Sequence, residues 1–131
     1  MRISRREKET EMIEGKVWGR TSVIFENESF SVHILDVYPG GYSSDHSHRS
    51  KWNFFHVFEG ELAIFKEVAG MVDETVLKPG DSLTVSPGLV HRFHARTFSR
   101  VLEIYFSRLA EDDILRKNVG GVRPLETIER L

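Results

Sequence analysis

Between residues 22 and 107 the chain is interrupted every few residues by turn-forming chemistry, and this punctuation limits what it can fold into. Segments 22–25, 30–38, 52–58, 62–68, 71–77, 82–85, 91–95 and 99–107 are short and rich in β-branched and aromatic residues. Between them stand Glu26-Asn27-Glu28, Pro39-Gly40-Gly41, Glu59-Gly60-Glu61, Ala69-Gly70, Lys78-Pro79-Gly80-Asp81 and Pro87-Gly88. Glycine and proline in such clusters turn the backbone out of a strand. No ten-residue helical pattern separates the strands, which disfavours an alternating α/β fold. The spacing predicts an all-β sandwich or barrel. Within 30–38, Phe30, Val32 and Ile34 fall on one face of a strand and Ser31 and His33 on the other. Segment 109–117 is the one helical prospect. Glu111-Asp112-Asp113 at its start and Arg116-Lys117 at its end suit the helix dipole, and Gly120-Gly121 stops it.

The rest of the chain bounds the organisation. Its 131 residues fit one domain, with no internal repeat. Residues 1–15 are charged and nearly featureless; they read as a solvated arm, or as a segment that orders only against a partner. The barrel takes 17–107 and the tail 108–131. A hydrophobic share of 40% with a net charge of −2 excludes a disordered chain. The balance of 18 Lys+Arg against 20 Asp+Glu argues against nucleic acid as a partner. Cysteine is absent, which removes disulfides and thiolate metal sites and fits a cytoplasmic location. No apolar run is long enough for a membrane helix, and residues 1–10 lack the apolar stretch of a signal peptide. No membrane partner is expected.

Chemistry is concentrated in the histidines. His46 and His48 are two apart, so on an extended backbone their rings share a face. Two imidazoles on one face are two legs of a metal site. His91 follows the Ser86-Pro87-Gly88 turn, 43 residues after His48. If its strand faces the segment carrying His46, the three converge.

Here the residues resemble a known family. Gly40, the His46-Ser47-His48 triplet and Gly60 have the spacing of the first cupin motif. Gly80, Gly88 and His91 match the second, whose usual first proline is Ser86 here and whose closing Asn is Ala95. The resemblance spans about residues 17–107. It implies a double-stranded β-helix, or jelly roll, of two antiparallel sheets with a short C-terminal helical segment. A narrower resemblance joins Val17-Trp18-Gly19, His46 to Ser50, Pro87 to His91 and Glu111 to Arg116 to the cupin domain of mannose-6-phosphate isomerases.

The resemblance implies one divalent ion (Zn, Fe, Mn, Ni or Cu) on His46, His48 and His91. The usual carboxylate ligand is missing. Trp52 and Asn53 stand at its place, and Lys51 where the isomerase-like group carries Glu. Asn53 offers a neutral side-chain oxygen, so the site is expected to be a three-histidine centre completed by Asn53 or water. Its charge is less neutralised than that of a His/Glu site, which favours an anionic ligand. Strand parity puts Asn53, Phe55 and Val57 on one face and His56 on the other. Phe55 and Phe93 are expected to line the pocket. Arg49 and Lys51, beside the histidine pair, are candidates for binding phosphate or carboxylate. Glu103 and Tyr105 share a strand face and, if that face is inward, can serve as acid and base. His33, His56 and His94 read as ordinary surface or wall residues.

Four functions follow. The first is a metal-dependent enzyme acting on a small oxygenated ligand, by sugar-phosphate isomerisation or related chemistry. The others are an Fe(II) dioxygenase, a non-catalytic barrel that binds a small sugar or acid, and a scaffold with a vestigial pocket. Small cupins usually pair, so the resemblance implies a homodimer.

Overall fold

The computed structural model describes residues 12–107 and 117–124. Nine strands follow in order: β1 (Met12–Lys16), β2 (Gly19–Glu26), β3 (Phe30–Val37), β4 (Trp52–Glu59), β5 (Leu62–Val68), β6 (Met71–Leu77), β7 (Ser82–Val85), β8 (His91–Ala95) and β9 (Ser99–Phe106). They form two antiparallel sheets, in the orders β1-β2-β3-β9-β4-β7 and β6-β5-β8. No helix occurs among the described residues, and the expected helical segment 109–117 lies almost wholly outside them. The segment expected to be a charged arm already contains structure: Met12–Lys16 is the edge strand of the large sheet, from Met12↔Val23 to Lys16↔Gly19.

Gly40, Gly60, Gly80 and Gly88 all have positive φ, as the turns between strands demand. At Gly60 the requirement is double. Its φ is +88°, and an added Cβ would also overlap the Phe98 carbonyl and approach Ser99 Oγ to 2.6 Å.

The sheets enclose one apolar core. Leu35, Val37, Phe55, Val57, Leu62, Ile64, Leu77, Val85, Phe93, Ala95 and Val101 pack together within it. Alternation along each strand selects them, and it also grades the interior. On β4 the inward positions run Asn53, Phe55, Val57; on β8, His91, Phe93, Ala95; on β9, Glu103 and Val101. One end of the sandwich is therefore apolar, and the other collects the titratable side chains.

Segment 40–46 completes that second end. It carries little regular structure of its own but runs antiparallel to β8. The Gly40 amide donates to the Ala95 carbonyl at 2.8 Å, Ala95 to Gly41 at 2.9 Å and Ser43 to Phe93 at 3.1 Å. His46 and His91 exchange both backbone hydrogen bonds, at 3.1 and 2.8 Å. A loop histidine is thereby placed directly opposite a strand histidine.

Candidate metal centre

Three rings meet at the polar end. The His46 and His91 centroids lie 4.5 Å apart, His46 and His48 5.1 Å, and His48 and His91 5.4 Å. One ring nitrogen from each falls within 4.8 Å of the others. His46 gains its position from the backbone pairing with β8. His48 follows two residues on, where its carbonyl accepts the Gly88 amide at 2.8 Å and ties the loop to the turn before β8.

The hydrogen bonds orient two of the rings. His46 Nδ1 lies 2.8 Å from the Ser44 carbonyl, and His91 Nδ1 lies 3.0 Å from the Leu89 carbonyl. A carbonyl only accepts, so in neutral His46 Nδ1 holds the proton and Nε2 the lone pair, whereas His91 meets an acceptor at each nitrogen, Leu89 at Nδ1 and Asn53 Oδ1 at Nε2. Both rings use the carbonyl two residues before them. Burial holds the His91 imidazolium below the ordinary range; the Leu89 bond opposes this and the His46 charge adds to it. Burial also lowers His48, followed by the charges of His46, His91 and Lys51. Burial therefore favours neutral imidazoles at His48 and His91, the form that binds metal.

Two atoms test whether a cation fits. His48 Nε2 is buried and has no hydrogen-bond partner. Asn53 Oδ1 faces His91 Nε2 at 3.0 Å. The amide is oriented by its other end, since Nδ2 donates to Glu103 Oε2 at 3.3 Å and to the Ile104 carbonyl at 3.5 Å. A neutral His91 has one N–H for two acceptors, so one of its two contacts sets lone pair against lone pair; with the proton on Nδ1, the opposed pair is Nε2 and Asn53 Oδ1. A cation bound to both resolves the clash. Donors about 2.1 Å from one ion and at right angles would be about 3.0 Å apart. Three neutral nitrogens and one amide oxygen suit a borderline divalent ion such as Zn, Fe or Ni better than Mg or Ca.

A buried carboxylate stands on the neighbouring strand, outside the histidine cluster. Glu103 is 6% exposed and lies across the β4–β9 ladder from Phe55. Tyr105 donates to Glu103 Oε2 at 3.0 Å and sets its ring edge-on against His48 at 4.9 Å. Burial raises Glu103 to about 7, against the pull of the Tyr105 and Asn53 hydrogen bonds and the Lys16 charge. Burial, and then the Glu103 charge and hydrogen bond, push the Tyr105 hydroxyl far above its ordinary range. At neutral pH Glu103 can exchange a proton, whereas Tyr105 stays a donor.

A cavity of about 250 Å³ opens beside this cluster, lined by side chains that include His33, His46, Phe93, Glu103 and Tyr105. Of the other sequence candidates, Asn53 is fully buried, and Phe55 lies in the core with its ring 6.4 Å from His91. Arg49 and Lys51 are exposed and do not line the cavity. His33 is a wall residue, bonded to Thr21 Oγ1 at 3.2 Å and Ser31 Oγ at 2.6 Å. His56 and His94 point outward, to Ser82 Oγ and the Tyr42 ring. Glu14, Lys16 and Thr21 also line the cavity and escaped the sequence reading. The two-residue alternation of Glu14 and Lys16 was the available signal. A larger groove of about 660 Å³ along Val17, Trp18, Tyr38 and Tyr42 contains none of the histidines, so size does not locate the chemistry.

Comparison with known proteins gives one family and one fold. Residues 33–105 match the family model described as "Cupin domain". No curated protein sequence matches the chain. Among solved structures, KdgF from Halomonas sp. superposes with a TM-score of 0.65 at 17% identity, over 83% of this chain and 94% of that one. An RmlC-like cupin from Shewanella frigidimarina gives 0.65 at 24%, over 80% and 89%. Streptomyces albus HEPD, with its substrate 2-hydroxyethylphosphonate and Fe(II) bound, gives 0.67 at 17%, over 79% of this chain and 26% of that one.

Proposed function

The chain belongs to the cupin family, and from that premise we propose that it is a metal-dependent enzyme acting on a small oxygenated, anionic ligand by proton transfer, in the manner of a sugar-phosphate isomerase. One observation carries the reading: a ring nitrogen from each of His46, His48 and His91 lies within 4.8 Å of the others, with Asn53 Oδ1 beside His91 and His48 Nε2 buried and unpartnered. His46, His48 and His91 hold the ion and Asn53 adds an oxygen. The ion, when bound, supplies a Lewis acid that polarises a carbonyl or hydroxyl oxygen.

The chain's own residues supply the rest. Glu103 exchanges the proton, because burial places it near neutrality, where a group serves as both acid and base. Tyr105 donates to Glu103 and holds its carboxyl beside Asn53. Leu35 and Phe93 add buried apolar side chains to the cavity lining. Its volume of about 250 Å³ equals roughly eight waters at about 30 Å³ each, room for a small acid or one sugar ring. The groove around the half-buried Phe30, Val32, Phe54, Ile104 and Phe106, on the outer face of the large sheet, supports a homodimer.

An Fe(II) dioxygenase is the competing reading. The all-histidine donor set and the Fe(II) bound in Streptomyces albus HEPD support it. Metal analysis of protein purified without added metal separates the two. We expect about one ion per chain, absent from a His46→Ala/His91→Ala double variant. Zinc or manganese, with exchange of solvent deuterium into a sugar phosphate, supports the isomerase-like reading. Iron with oxygen uptake supports the dioxygenase. Metal without turnover leaves a binding barrel, and no metal sinks both enzymes.

A further inference from the structure

Lys16 belongs to no motif. It closes β1 and pairs with Gly19 across the β1–β2 turn. Lys16 and Glu14, two residues apart, share a strand face and both line the cavity that holds His46, Glu103 and Tyr105. No other Lys or Arg lines that cavity among the described residues. The cavity lining comes from different elements: Lys16 from the edge strand of the large sheet, and His46 from the loop that pairs with β8 of the small sheet.

The partner of Lys16 is replaceable. Glu14 Oε1 lies 3.2 Å from its Nζ, but the Glu14 side chain is 68% exposed and that of Lys16 36%. An ion pair this open to water is held weakly, so a ligand anion can take the place of Glu14. An ammonium also accepts carboxylate or phosphate from several directions, unlike the planar fork of arginine. Its charge is already felt inside the cavity, where it opposes protonation of His33 and favours ionisation of Glu103.

We propose that Lys16 determines specificity at this site, and that the ligand is a small hydroxy acid or sugar acid with a second anionic group, carried away from the histidines and held by the Lys16 ammonium. The inference rests on the metal-site reading above.

The test uses the full chain loaded with Co(II), whose visible absorbance reports metal uptake by itself. L-malate and L-lactate are then titrated by calorimetry; both are 2-hydroxy acids, and only malate has the second carboxylate. Wild type is expected to bind malate about tenfold tighter than lactate at low salt, the scale of one hydrogen bond to a charged group. Lys16→Ala should bring the two affinities together with lactate unchanged, and Lys16→Arg should keep most of the preference. Added salt should shrink the preference in wild type. Equal binding of the two acids by wild type, binding of neither, or a preference that survives in Lys16→Ala overturns the proposal. An absent cobalt signal overturns the metal reading and this inference with it, and is distinguishable because it is read before any acid is added.

Discussion

The two ends of the barrel interior are built on the same strands and do opposite things. Toward one end the inward positions are Val37, Val57, Ala95 and Val101, each buried and apolar. Toward the other they are His33, Asn53, His91 and Glu103. Only two to four residues along each strand separate the sets. The apolar end contributes stability through area removed from water and close packing. The polar end costs stability: it desolvates a carboxyl, aims two electron-pair donors at each other and leaves His48 Nε2 unpartnered. A fold tolerates such an end where the strain belongs to function.

Substitutions should separate the two ends. Leu62 is fully buried on β5 and belongs to the core cluster. Leu62→Ala should cost about 2–5 kcal/mol in urea unfolding. Metal bound per folded chain should not change. A loss of metal in proportion to stability would mean that the two ends are one cooperative unit.

Glu103→Gln probes the other end, by pH. The Glu103 carboxyl is raised in the folded state to about 7, above its ordinary 4.5. Its stability contribution is therefore complete below pH 4.5 and is lost as pH rises through 7. Glutamine does not titrate and keeps an oxygen for Asn53 Nδ2 and Tyr105. In metal-free protein, Glu103→Gln should gain on wild type across that window, by on the order of 3 kcal/mol. The burial-lowered His48 and His91 act in the opposite sense, losing stability as pH falls below 6.5, but they are common to both proteins and cancel in the difference. A flat difference between the two Tm–pH curves would mean that Glu103 is solvated.

Much of the architecture was legible because its signal is local. Strands β2 to β9 correspond to the eight segments marked by turn residues, since glycine and proline break strands wherever they stand. β1 was not legible. Met12–Lys16 is short, with two charged residues in five, and only pairing with β2 makes it a strand. That hid Lys16 as well. Alternation gave the two faces of β3 but not which is inside; Ser31 is buried, whereas Phe30 and Val32 border the outer groove.

The site divides in the same way. The histidines could be named from spacing, and parity placed Glu103 and Tyr105 on one face. The contact of Glu103 with Asn53 depends on the register between β4 and β9, which are over forty residues apart in sequence and which no local pattern sets.

His46, His48 and His91 are proposed to share a single ion through one ring nitrogen each. Nitrogen-15 NMR of the imidazole rings, with metal-free protein titrated with Zn(II), tests it most directly. We expect His46 and His91 to be protonated at Nδ1 before zinc, and the Nε2 resonances of His46, His48 and His91 to move together and stop at one equivalent. His91 protonated at Nε2 and unmoved by zinc would mean that the three rings share no ion.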